Sequence, residues 1–268
     1  MDLDVSSTVD AARSTTERFA RQGLLFPLRV LTEDEARRYR LACDELEERL
    51  GGRPRTVDVR QMHLHFPWAY ELATTPRILD VVETLLGPNL LIWATELFAK
   101  HPHDPTVRIA WHRDRDYMGL DSLRTLTAWV ALSPCNESNG CLLAVPGPDH
   151  GRIPEPLPER TVPVCLRPGE MSLHDPDLWH GSGPNLADEK RVGFAIRFVA
   201  PSVRPRHGRP PAVLARGRDD HGNFTLVGAP APASEAEALD GMRVSARRHL
   251  MAILENLGDR AQGAEGKI

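Results

Sequence analysis

The chain has 268 residues, 41% of them hydrophobic, and a formal net charge of −4 at pH 7. That is enough apolar material for a sizeable core, and its 30 arginines and 3 lysines are spread too evenly to form the basic arm or stripe of a nucleic-acid-binding or membrane-surface protein. No apolar run approaches the ~20 residues of a membrane span, and the opening "MDLDVSSTVDAARS" lacks the basic-then-apolar pattern of a signal peptide, so a cytoplasmic chain is expected.

A single domain is expected, with a helical cover over about 1–89, a core over about 90–200 and a C-terminal extension over about 201–268. In the cover, Thr32 and Glu35 form a capping box, and Ala36, Tyr39, Cys43, Leu46 and Leu50 recur at helical spacing until Gly51 and Gly52. A second helix is predicted from Thr75 as N-cap and Pro76 at the first position, through Ile78, Leu79, Val82, Leu85 and Leu86, to Gly87. "QMHLHFP" sets His63 and His65 two apart, which makes them candidates to reach over a cavity mouth toward substrate. "HPHDP" does the same for His101 and His103, but neither pair has the further ligands of structural zinc.

From residue 90 the pattern changes to short runs rich in valine, leucine, threonine and tryptophan: "LLIWATELFAK", "VRIAWH", "LRTLTAWVAL", "CLLAV", "EMSLH", "VGFAIRFVA". Short strands at this spacing predict a mainly β protein, a jelly roll with flanking helices. The segment 201–218 is rich in proline and arginine and is expected as surface loop, as is the tail after Asp259. Before that tail, Ser234 and Glu237 cap a third helix with Leu239, Met242, Ala246, Leu250, Ile253 and Leu257 on one face until Gly258. The four cysteines, Cys43, Cys135, Cys141 and Cys165, show no CxxC spacing.

The chemistry concentrates in "AWHRDRDYMGL". If the strand is extended there, His112 and Asp114 project to one face while Trp111 and Arg113 point away. An imidazole and a carboxylate are two-thirds of the 2-His-1-carboxylate triad that leaves open positions on a ferrous ion. The missing histidine is best supplied by His180 in "HDPDLWHGSGPN", with His174 its nearest rival. Eleven residues on, Arg191, Gly193 and Ala195 share one face of a strand whose other face is Val192, Phe194, Ile196 and Phe198. A guanidinium pointing inward past small neighbours needs an anion, and its fork matches a carboxylate; an ion pair with Asp188 or Glu189 is the alternative.

"WHRD", "LTAWVAL", "NGCLLAVPGPDHG", "PGEMSLHDPDLWHGSGPN" and Arg191, in this order, resemble the phytanoyl-CoA dioxygenase (PhyH-like) family of iron(II) and 2-oxoglutarate dependent oxygenases, over roughly residues 20–205. The resemblance implies a double-stranded β-helix and an enzyme that takes 2-oxoglutarate and O2 as cosubstrates and releases succinate and CO2. By that resemblance His112, Asp114 and His180 hold iron, Arg191 binds the distal carboxylate of 2-oxoglutarate, Ser182 joins it, and Trp129 lines the cosubstrate pocket. Ser182 as a turn residue and Trp129 as an ordinary core aromatic remain the alternatives.

Arg113 stands where family members often have glutamine, and Pro148 where serine is usual, so the family's fatty acyl-CoA substrate is not carried over. The family's halogenases lack the carboxylate that Asp114 supplies, which implies oxygenation here. Arg115, Asp116 and Tyr117 follow the ligand pair and are candidates to line the mouth, whose polarity suits a small polar metabolite. The resemblance also permits oxidative ring or orthoester formation in antibiotic biosynthesis, by a monomer or homodimer. Two rivals are a cupin-like metalloenzyme without 2-oxoglutarate, which gives Arg191 no work, and a sensor that binds 2-oxoglutarate without turnover.

Overall fold

The structure is a computed structural model and describes residues 5–147 and 161–265; Pro148 lies outside them. Two helices and a strand open it, α1 (Val5–Gln22), β1 (Leu24–Arg29) and α2 (Glu33–Arg49), followed by α3 (Pro67–Ala73) and α4 (Pro76–Leu86). Both halves of the Thr32–Glu35 capping box form. Thr75 does not cap α4: its hydroxyl donates to the Glu71 carbonyl at 3.2 Å, back into the preceding helix.

The strands are β2 (Leu90–Lys100), β3 (Ile109–His112), β4 (Thr125–Ala131), β5 (Leu142–Val145), β6 (Val162–Val164), β7 (Glu170–His174), β8 (Trp179–Ser182), β9 (Arg191–Val199), β10 (Pro211–Arg216) and β11 (Thr225–Val227), with the short helix α5 (Arg115–Met118) after β3 and α6 (Glu235–Glu265) last. They form a seven-stranded sheet in the order β1-β7-β4-β9-β2-β10-β11 and a four-stranded sheet in the order β3-β8-β5-β6. This is a jelly roll with flanking helices.

The major sheet divides its side chains by parity. On β9, Val192, Phe194, Ile196 and Phe198 are fully buried in the core shared with Ile78, Leu79 and Val82 of α4. Each such side chain contributes roughly 1.5–3 kcal/mol on burial. The opposite face, with Arg191, Ala195 and Arg197, lines the interior of the roll.

Two expectations change. The segment 201–218 is not all loop, because β10 pairs antiparallel with β2 through Val213 and Leu214; the apolar "AVLA" supplies a strand that its proline- and arginine-rich surroundings hide. The third helix does not stop at Gly258 but runs to Glu265, with no proline to end it. Its inward face is also rotated: Met242, Ala246, His249, Ile253 and Asn256 are buried, whereas Leu257 is 44% exposed.

Candidate metal centre and its cavity

The minor sheet brings the first two residues together. β3 and β8 run antiparallel with His112 opposite His180, and the two rings lie 4.2 Å apart between centroids. Each Nδ1 faces the carbonyl two residues back, Ala110 at 2.8 Å and Leu178 at 2.9 Å. A carbonyl only accepts, so each Nδ1 carries a proton and, in the neutral ring, Nε2 keeps its lone pair.

Asp114 arrives differently from the strand-parity expectation. β3 ends at His112, and Asp114 has helical backbone angles at the start of α5. Its carboxylate is turned inward by Thr127 of β4, whose hydroxyl donates to Oδ2 at 2.7 Å, and by the Tyr117 hydroxyl, which donates to Oδ1. Oδ1 then lies 3.6 Å from His112 Nε2 and 3.8 Å from His180 Nε2. The three residues form a cluster with one ligand atom each, all within 4.8 Å of one another. His174 stands instead against the other oxygen, its Nε2 3.5 Å from Oδ2.

Burial alone would raise the Asp114 pKa, but Arg197 and the surrounding histidines hold it well below the usual carboxylate range. Burial, with His174 and His112 beside it, pushes His180 down to about 3 and keeps it neutral. Arg197 continues the network: it donates to Tyr117 at 2.9 Å and pairs with Glu96 at 2.5 Å, which also meets Arg60 at 2.6 Å. Glu96 and Arg197 were missed in the sequence, although each is a charge inside an apolar strand and Arg197 lies six residues from Arg191, in phase with it.

The cluster opens into a cavity of about 370 Å³ whose wall includes Arg191, Ser182, Trp129 and Tyr117. Arg191 is 3% exposed and has no carboxylate partner among the described residues; Asp188 pairs with His103 instead. Its guanidinium sits 5.2 Å from the Trp129 ring and donates to the Gly140 carbonyl at 3.0 Å. Trp129 lies flat over Gly193, where an added Cβ would meet the ring at 1.8 Å. Lys100, also missed, is opposite Arg191 across the β2–β9 ladder and fully buried. It donates to Ser182 Oγ at 2.6 Å, and burial next to Arg191 lowers its pKa to about 7.

Four candidates are placed away from the cavity. His63 is fully buried against Thr95, 3.0 Å from its hydroxyl, and His65 meets Ser245 of α6 at 2.8 Å. They precede the core in sequence, but a 3-10 turn tucks them between β2 and α6 rather than over the mouth. Arg115 points outward to Asp177 at 2.8 Å, and Asp116 pairs with Arg113 at 3.0 Å, because the strand gives way to α5 and its alternation ends. Of the three residues after the ligand pair, Tyr117 alone lines the cavity. His101 is held by Glu47 at 2.6 Å. All four cysteines are free thiols.

Comparison with known proteins agrees with this geometry. The family model described as phytanoyl-CoA dioxygenase (PhyH) matches residues 19–193. The apo structure of ThoJ, a non-heme monooxygenase, is 32% identical with a TM-score of 0.81, covering 91% of this chain and 99% of that one. SnoN, described as a non-heme alpha ketoglutarate dependent epimerase from nogalamycin biosynthesis, is 27% identical with a TM-score of 0.64, covering 74% and 86%. Peroxisomal phytanoyl-CoA dioxygenase of Homo sapiens is 27% identical over 154 residues, 49% of this chain and 46% of that protein. The chain spans about half the length of the phytanoyl-CoA dioxygenases it matches. No helix among the described residues is long and apolar enough to cross a membrane. With a family match over well more than half its length, including His112, Asp114 and His180, the chain belongs to the phytanoyl-CoA dioxygenase (PhyH) family.

Proposed function

We propose that the chain is an iron(II)- and 2-oxoglutarate-dependent oxygenase that oxidises an unactivated C–H bond of a small polar metabolite. The observation that carries this reading is one cavity holding both a two-imidazole, one-carboxylate cluster and, apart from it, the buried Arg191 guanidinium, which has no acid to neutralise it among the described residues. The cluster fits iron(II): the donors are borderline nitrogen and hard oxygen, and the Nδ1 bonds behind the rings select the tautomer that presents Nε2 as the ligand atom. Bound there with 2-oxoglutarate, iron(II) supplies the oxidising power for O2 chemistry, with succinate and CO2 as coproducts.

The residues of the chain provide the geometry. Arg191 and Ser182 receive the distal carboxylate, and Trp129 walls it in. Thr127 and Tyr117 fix the Asp114 carboxylate so that Oδ1 faces the two imidazoles. The lining also includes Thr56, Arg108 and Arg60, the last paired with Glu96, and the Thr56 hydroxyl and Arg108 guanidinium offer polar contacts to a substrate with hydroxyl groups. The product is an alcohol or, where a substrate hydroxyl captures the oxidised carbon, a new ring or orthoester. The likeness to SnoN supports a place in specialised metabolism. The test is succinate and CO2 release across hydroxylated, sugar-containing metabolites and fatty acyl-CoA: stimulation by the polar set supports the reading, and faster turnover of the acyl chain contradicts the substrate class.

A further inference from the structure

Three of the four cysteines gather at one end of the minor sheet. β5 and β6 run antiparallel with Leu142 opposite Val164 and Leu143 opposite Pro163. Continued by one residue, this register sets Cys141 across from Cys165, on the face that Leu143 and Pro163 share. Residues directly opposite in an antiparallel pair have Cα atoms about 4.5–5.5 Å apart, inside the range of about 4.4–6.8 Å that a disulfide spans. Cys135 lies beside them, its backbone bonded to Leu166 in both directions at 2.9 Å. Cys43 is elsewhere, buried on the inner face of α2.

The paired thiols differ in access. Cys165 is exposed and lines an open surface groove with Cys135 and Pro134. Cys141 is buried, and burial with Cys135 and Cys165 as neighbours pushes its thiol up to about 12. It stays protonated at neutral pH, so an oxidant in solution meets Cys165 first.

The strand that carries Cys165 is the one most in need of a tether. β6 is the edge strand of the minor sheet and is paired to β5 through only the three residues Val162–Val164. A link between Cys141 and Cys165 closes residues 142–164 into a loop and pins that edge, which stabilises the fold.

We propose that Cys141 and Cys165 are a redox modification site, a cross-strand thiol pair that a disulfide oxidant of the glutathione class converts reversibly to a disulfide. The Cys165 thiolate attacks one sulfur of glutathione disulfide, and the first glutathione thiolate leaves. Cys141 sulfur then attacks Cys165 sulfur, its proton going to the second departing glutathione. One intramolecular S–S bond forms, the oxidant's S–S bond is lost, and the two electrons taken from the protein thiols reduce glutathione disulfide to two glutathiones.

The test is incubation of the wild type and of Cys165→Ser with excess glutathione disulfide, followed by thiol titration in denaturant, disulfide mapping by mass spectrometry and a thermal melt. Titratable thiols should fall from four to two in the wild type, with the Cys141 and Cys165 peptides joined, a higher Tm, and full reversal by dithiothreitol. Cys165→Ser should keep its remaining thiols and its Tm. Four thiols still free in the wild type, a glutathione adduct left on Cys165, a link through Cys135 or between two chains, or a Cys141–Cys165 link with no rise in Tm would overturn the proposal.

Discussion

Lys100 Nζ donates to Ser182 Oγ at 2.6 Å and to the Gly140 carbonyl at 3.2 Å, where Arg191 also donates. An ammonium has only donors, so the Ser182 oxygen must accept and its own proton is free to turn into the cavity. Lys100 thereby orients a hydroxyl beside Arg191 and adds a second positive charge behind it. Lys100→Met should weaken 2-oxoglutarate binding about tenfold, or about 1.4 kcal/mol. Ser182→Ala should have a similar effect, and the double variant should show less than the sum, because the two residues act as one unit. Anaerobic titration of 2-oxoglutarate into the iron-loaded proteins measures this; fully additive effects would contradict the arrangement.

The same lysine predicts a pH dependence. Burial, with Arg191 nearby, lowers its pKa to about 7, and a bound carboxylate favours the charged form and raises it again. The charge that helps binding is present below about pH 7 and must be regained at a cost above it. Affinity for 2-oxoglutarate should therefore fall as pH rises from 7 to 9 in the wild type and should be flatter in Lys100→Met. Parallel profiles would remove Lys100 from the binding step.

Tyr117 and Arg115 are two residues apart and should behave oppositely. Tyr117→Phe removes a hydroxyl that bonds both Asp114 and Arg197, and should lower kcat about tenfold, a barrier change of about 1.4 kcal/mol, with little change in substrate KM. Arg115→Gln breaks a partly exposed ion pair to Asp177, of a kind worth about 0–1 kcal/mol, and should leave kcat within about twofold. Equal losses in steady-state assays would mean that α5 acts as a whole rather than through Tyr117.

Gly193→Ala tests the packing of Trp129. The added methyl would meet the indole at 1.8 Å, and such overpacking typically costs about 1–3 kcal/mol. A lower Tm together with weaker 2-oxoglutarate binding is expected, since the ring also lies against Arg191. Unchanged binding with a lowered Tm would make Trp129 a core residue only.

Much of the site was legible because its chemistry is tied to short spacing. His112 and Asp114 were found as an HxD pair although the reason given, strand parity, does not hold; a helical turn and two hydroxyl donors bring the carboxylate in instead. Arg191 was found by parity that does hold, since β9 is regular along its whole length. Lys100, Glu96 and Arg197 were missed because a charge in an apolar strand has no local partner to announce it. Their partners come from neighbouring strands and loops, and that register is not visible in one sequence. β10 was hidden by composition, and the face of α6 was misjudged because inward-facing His249 and Asn256 replace the expected leucines.

The central claim is that one cavity holds iron(II) and 2-oxoglutarate together. Anaerobic mixing of the protein with both should produce the visible charge-transfer band of a 2-oxo acid chelated to iron(II) in the wild type. His180→Ala should abolish it by removing a ligand, and Arg191→Ala should shift its half-saturation to at least tenfold higher 2-oxoglutarate. Absence of the band in the wild type, or its persistence unchanged in His180→Ala, would contradict the account.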